Sequence, residues 1–323
     1  VSARRRVVFV VALAAVASIS VVAAAVLSSD GGSATTAATE PGLRPGRPPL
    51  SFALGFRGDP EARDLVRAAG LYRQGRGNAA AVLFAKHDSL EAKVGSAFAT
   101  WPEGTLDRLE QLAKLYADSG LVQVHLGLAR LWANRGDPVS AWQAALEAEP
   151  DSPYAVIAGN LLHPKLPAGL PTFIPSFAAP PELTRLPAAR QLAALEARAE
   201  RGGVRALLLY GVGLQRVGRP VSARRVFDRA ARRAAGNAEA QVAGAVGSFD
   251  KASPEIAFGR LGPLTRRFPN EPSVRFHLGV LLVWTGRISA AERQFRLASR
   301  IEPDSPLARE AARYLQTIRT ARS

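Results

Sequence analysis

The sequence predicts an all-α chain: an α-solenoid of helical hairpins, preceded by one N-terminal transmembrane helix and a flexible linker. Three observations carry this reading. An uncharged apolar run from Val7 to Leu27 follows three arginines. A stretch rich in Gly, Ser, Thr and Pro comes next. Beyond residue 204, small residues, a turn glycine and an aromatic recur in registers that begin at Val204, Ala238 and Pro272.

The N-terminal elements come first. Arg4, Arg5 and Arg6 close a basic tail (1–6), and the run 7–27 is broken only by Ser18 and Ser20. As a helix rising about 1.5 Å per residue it reaches roughly 32 Å, enough for the hydrocarbon core of a bilayer. The arginines ahead of the span place the N-terminus in the cytoplasm and the body outside the inner membrane. The competing reading is a signal peptide cleaved near Ala23–Ala25, which would make the body a secreted protein. Residues 28–60 keep no apolar period and read as a tether, flexible first and stiffer through its Pro-rich part.

Residues 61–320 are the predicted repeat domain. From Pro272 the register gives Leu278-Gly279, Gly286, Ala291, Phe295, Ala298 and Pro303; from Val204 it gives Tyr210-Gly211, Gly218, Ala223, Phe227 and Ala230. The register from Ala238 keeps Ala257 and Pro269, and Pro306 opens one final amphipathic helix. Each unit reads as a helical hairpin. Small residues at the eighth and twentieth positions let its helices approach, and Gly at the fifteenth makes the turn. Earlier units are looser: Gly75, Ala80 and Phe84 fit a register from Glu61, 89–117 turns at "WPEG", and a unit from Gly120 carries Gly136 in its turn. Two phrases occur twice: "HLG" followed by Trp and Arg, at 125–135 and 277–287, and "EPDSP", at 149–153 and 302–306. With L-G…A-x-x-x-F…P present at 278–303, the chain resembles the tetratricopeptide repeat family, as a membrane-anchored bacterial member. It departs from that pattern at Arg275 and Leu282.

One segment breaks the period. Residues 163–187 hold seven prolines and are not helical throughout. They read as an insertion inside one hairpin, between a helix at 154–162 and another at 188–201. Leu166, Leu170, Phe173, Ile174 and Phe177 are too apolar for a solvated loop, so the segment is expected to pack on the array.

Catalytic chemistry finds little purchase. The chain has no Cys, which excludes disulfides, thiolate metal sites and a Cys nucleophile. His87, His125, His163 and His277 have no ligand-like spacing, and no phosphate-loop, zinc-protease or nucleophile-elbow motif is present. The reading is therefore no enzyme, no cofactor and no metal. The resemblance implies a concave groove lined by first helices, chiefly at their second, fifth, sixth, ninth and thirteenth positions. Those are Val124, His125, Leu128 and Trp132; Arg205, Leu208, Val212 and Arg216; and Phe276, His277, Val280 and Trp284. An apolar groove edged by Arg fits an amphipathic helix or an extended apolar peptide.

Charge is the remaining signal. The chain carries +15, with 37 Arg and 5 Lys, part of which reflects a GC-rich codon bias. Five arginines crowd the second helix of the Val204 unit: Arg224, Arg225, Arg229, Arg232 and Arg233. That outer face would suit an anionic membrane surface. Nucleic acid is disfavoured, because no aromatic platform accompanies the Arg. The expected function is a membrane-tethered scaffold or assembly factor holding partner proteins or peptides. The alternatives are a non-catalytic subunit of an envelope enzyme complex and a divergent enzyme with an unrecognised site.

Overall fold

The computed structural model describes residues 44–321; the expected tail, membrane span and linker up to residue 43 lie outside the described residues. Among the described residues every regular element is helical, and no helix is long and apolar enough to cross a membrane. The chain divides into two compact units, 44–164 and 165–321.

The unit 44–164 opens on a non-helical lead-in and continues through α1 (Pro60–Arg73), α2 (Gly77–Phe84), α3 (Leu90–Ala99), α4 (Thr105–Leu115), α5 (Gly120–Ala133), α6 (Pro138–Ala148) and α7 (Pro153–Leu162). Each helix packs on the next in the chain, and α1, α3 and α5 also touch in sequence. The unit 165–321 repeats the plan. A non-helical lead-in precedes α8 (Pro181–Thr184), α9 (Ala188–Glu200), α10 (Val204–Arg216), α11 (Pro220–Arg233), α12 (Ala238–Gly247), α13 (Glu255–Leu261), α14 (Leu264–Arg267), α15 (Pro272–Trp284), α16 (Ile288–Ile301) and α17 (Pro306–Thr320). Here α10, α12 and α15, the first helices of the three periodic registers, contact one another in order.

The recurring residues do physical work that explains their spacing. Gly75, Gly218 and Gly286 carry φ of 81°, 72° and 72°, the left-handed region a side chain disfavours, and there α1, α10 and α15 turn into their partners. Ala80, Ala223, Ala257 and Ala291 are fully buried where the second helix meets the first. Opposite them an aromatic ring abuts a glycine of the facing helix: Phe227 at Gly211, Phe295 at Gly279, Trp142 at Gly127 and Phe84 at Gly95. A methyl group on Gly279 would stand 2.7 Å from Phe295 Cε1. The glycine is what brings the two backbones within reach of the ring.

The duplicated "EPDSP" is a helix start. Ser152 and Ser305 are the N-caps of α7 and α17, each followed by a proline at the first helical position. Ser152 Oγ donates to Glu149 O (2.7 Å) and accepts from Ala155 N (3.2 Å); Ser305 Oγ donates to Glu302 O (2.8 Å) and accepts from Ala308 N (3.1 Å). Pro263 interrupts the second helix of the Ala238 register, splitting it into α13 and α14.

Two readings change. The tether expected through residue 60 does not stay free of the body: residues 48–54 are packed against helices, with Leu50 5 % exposed, while 55–60 are exposed. The Pro-rich 163–187 stretch does not sit within a hairpin, because α9 pairs forward with α10. Residues 165–180 are instead the lead-in of the second unit. Its apolar residues do pack, Phe173 being 1 % exposed within the unit's core.

The glycine–ring contacts make a paired prediction. Gly279→Ala drives a methyl into Phe295 and should destabilise by about 1–3 kcal/mol. Gly159→Ala in α7, where a Cβ meets nothing within 4 Å, should stabilise by up to about 1 kcal/mol through helix propensity. Chemical denaturation of the two variants checks both signs.

Candidate functional site

In unit 165–321 the faces of α10, α12 and α15 converge on the lead-in and hold it by its backbone. Phe173 N–H donates to Gln215 Oε1 (3.1 Å), Ile174 N–H to His277 Nε2 (3.0 Å) and Ser176 N–H to Glu239 Oε1 (2.6 Å). Three helices thus supply three acceptors to one non-helical segment. Side chains finish the seat. Phe173 stacks on His277 (centroids 5.0 Å apart), and the Arg205 guanidinium lies 5.0 Å from the Phe177 ring centre. Upstream, Lys251 Nζ donates to Pro167 O (2.6 Å) and sits 5.9 Å over the Trp284 ring.

Unit 44–164 has a seat of the same kind. Ser51 N–H donates to His125 Nε2 (3.4 Å), Ala53 N–H to Tyr154 Oη (3.1 Å) and Arg44 N–H to Trp132 O (2.8 Å). The Tyr72 hydroxyl donates to Pro48 O (2.9 Å), and Phe52 packs on His125 and edge-on to Phe84.

Both "HLG" histidines therefore do one job. Nδ1 of His125 lies 2.7 Å from Leu121 O, and Nδ1 of His277 lies 2.7 Å from Ser273 O, each one turn back along the helix. A carbonyl only accepts, so Nδ1 carries the proton and Nε2 is left as an acceptor for the lead-in amide. Burial holds both imidazoles neutral by pulling their pKa down to about 4.

The predicted groove residues divide by place. Arg205 and His277 touch the second lead-in, and a Cβ on its Gly169 would lie 3.7 Å from the Trp284 ring. His125 and Trp132 touch the first. Val124, Leu128, Leu208, Phe276 and Val280 are core, at most 1 % exposed. Trp132 and Trp284 are each 3 % exposed, so truncating either would test packing rather than recognition. Val212 and Arg216 remain open. With Thr172, Ile174, Gln215, Glu310, Arg313 and Tyr314 they line a cleft of about 410 Å³ between the lead-in, α10 and α17. The Arg313 guanidinium pairs with Glu310 (2.7 Å) at its rim.

On α11, Arg224, Arg225, Arg229, Arg232 and Arg233 are all exposed. Asp228 answers part of that charge, paired with Arg260 (2.6 Å) and Arg224 (3.9 Å). Elsewhere His87 pairs with Asp64 (3.1 Å). Among the described residues no three His, Asp or Glu gather as a metal-binding group.

Sequence reasoning passed over the likeness of the two occupants. Leu50-Ser-Phe-Ala-Leu-Gly-Phe56 and Pro171-Thr-Phe-Ile-Pro-Ser-Phe177 share Ser/Thr-Phe, an aliphatic residue, and a second Phe four positions after the first. The signal was legible, but it has neither helical nor strand period.

The histidines fix an acid limit. Their folded pKa lies below the ordinary value near 6.5, so the stabilisation is complete above that value and is lost as pH falls through about 4. The loss amounts to on the order of 3 kcal/mol per histidine. Hydrogen exchange should show the Ser51 and Ile174 amides opening over that window, and His277→Gln, which keeps an acceptor but cannot titrate, should flatten the response at Ile174. Lys251, pulled down by burial to about 7, acts in the other window. Unit 165–321 should gain stability as pH rises from 7 towards 10.5, and Lys251→Met should remove that slope in thermal melts.

Compared with known proteins, the chain matches no family model and no curated protein.

Proposed function

We propose that the chain is a non-enzymatic scaffold or assembly factor, a tetratricopeptide-like α-solenoid that holds partner proteins by short non-helical segments. One observation carries the reading: Gln215, Glu239 and His277, from three first helices, together hold the backbone amides of Phe173, Ile174 and Ser176. Side chains that accept from successive main-chain N–H groups suit a surface for peptide backbone, and pockets for alternate side chains then set specificity. The cleft beside the lead-in, with Val212 and Arg216 on its wall, is where that surface stays open.

The apolar run 7–27 would hold this body at the inner membrane, on its outer side. The exposed arginines of α11 would add attraction to anionic headgroups, each worth about 1 kcal/mol near such a surface.

The test is site-specific photocrosslinking of the full chain in native membranes, with the reactive residue placed at Val212, at Arg216 and, as an outward control, at Leu297, which is 38 % exposed on α16. Discrete protein adducts from 212 and 216 but not from 297 are expected. No adduct at either cleft position, or the same adducts at all three, would reject the scaffold reading.

A further inference from the structure

We infer that the partner class for these seats is a non-helical segment of the pattern Ser/Thr-Phe-aliphatic-x-x-Phe, and that the two lead-ins are resident copies of that ligand held in cis. The inference rests on the scaffold reading and names what the scaffold takes.

The two occupants make matching contacts. Ser51-Phe52-Ala53 and Thr172-Phe173-Ile174 differ in sequence, yet each sets its phenylalanine against the histidine of a His-Leu-Gly helix, at 6.2 Å and 5.0 Å between ring centres. Each also gives that histidine a backbone amide, from the residue before the Phe in one unit and from the residue after it in the other. What stays constant is the aromatic ring, the adjoining amide and the absence of helix. A hydroxyl residue before the first Phe, an aliphatic residue after it and a second Phe four positions on recur as well, while the two positions before that second Phe, Leu54-Gly55 and Pro175-Ser176, differ in kind. Two seats, each built on a His-Leu-Gly histidine and each holding one of these segments, have those constant features in common.

The second Phe grades the two sites. Phe177 is half-buried beneath the Arg205 guanidinium, 5.0 Å from its ring centre, whereas Phe56 is 51 % exposed. The second unit therefore reads the whole pattern and the first unit its Ser/Thr-Phe part. Glu239, accepting from Ser176 N–H at 2.6 Å, adds a requirement for a free amide three residues after the first Phe. A proline there would be refused, and an acidic side chain nearby would be repelled.

A segment tethered to its own seat competes at a local concentration in the millimolar range, which masks the seat from weak ligands. Weakening the resident without altering the seat should unmask it. The probe is a fluorescent synthetic peptide spanning residues 168–179, titrated against the full chain, against Phe173→Ala and against Ile174→Pro. The last removes the amide given to His277 while keeping the phenylalanine. Circular dichroism identifies which variants stay folded, and either one suffices. At least tenfold tighter binding to a folded variant than to the parent chain is expected, with loss of binding when both phenylalanines of the peptide are alanine. Equal affinity for parent and variant, or undiminished binding of the alanine peptide, would overturn the inference. If the variants instead form dimers that exclude the peptide, the occupant is a second copy of the chain, and the partner assignment falls. Cleft crosslinks at Val212 that persist through such a failure would leave the scaffold reading standing.

Discussion

Each unit depends on a neutral imidazole set between a helix and a non-helical segment. An imidazole with its proton on Nδ1 offers one donor and one acceptor on opposite sides of a flat ring. His125 and His277 spend the donor on a carbonyl of their own helix and the acceptor on an amide of the lead-in. A lysine or arginine could not accept there, and an apolar residue would leave a partly buried amide unpaired, at about 1–3 kcal/mol. The ring also supplies a stacking face for Phe52 or Phe173. One residue type thus meets a polar and an aromatic requirement at once, which explains its presence in a core that otherwise holds few polar side chains.

Around that contact the hairpins supply rigidity. Helices brought close by Gly211–Phe227 and Gly279–Phe295 have little freedom to slide, so Gln215, Glu239 and His277 are presented at fixed spacing. The seat is as specific as its helices are stiff. Its acceptors come from α10, α12 and α15, while the aromatic anchors that lock those helices come from the second helices behind them.

Most of the helical architecture was legible because helices write period into sequence. The turn at Gly218 and Gly286 and the small residues at Ala223 and Ala291 followed from spacing, whereas the repeated "EPDSP" was visible as a phrase and its two Ser caps emerge only in the structure. The seats were half legible. The family resemblance implied Arg205 and His277, and the apolar content of 163–187 pointed to a packed segment. The same content at Leu50, Phe52, Leu54 and Phe56 was read as tether, because Pro and Gly around it dominate the local pattern. Gln215 and Glu239 gave no signal at all. They recognise main-chain amides, which every residue but proline carries, so no complementary residue elsewhere marks them.

Self-occupancy sets a condition on any partner. If the seat is empty only a small fraction of the time, the apparent affinity of a competing segment falls by that fraction; a seat occupied in cis 99 % of the time weakens binding about a hundredfold. A ligand confined to the histidine seat therefore competes poorly with the resident. One that also reaches the adjoining cleft gains contacts the lead-in does not make, against Val212, Arg216 and the far wall of α17. On the proposed scaffold reading those contacts would offset the displacement, so discrimination between partners would fall to the open cleft while the seat supplied a common grip. Residence of the lead-in would then act as a threshold: single Ser/Thr-Phe segments would fall below it, and partners with apolar or acidic extensions into the cleft would pass.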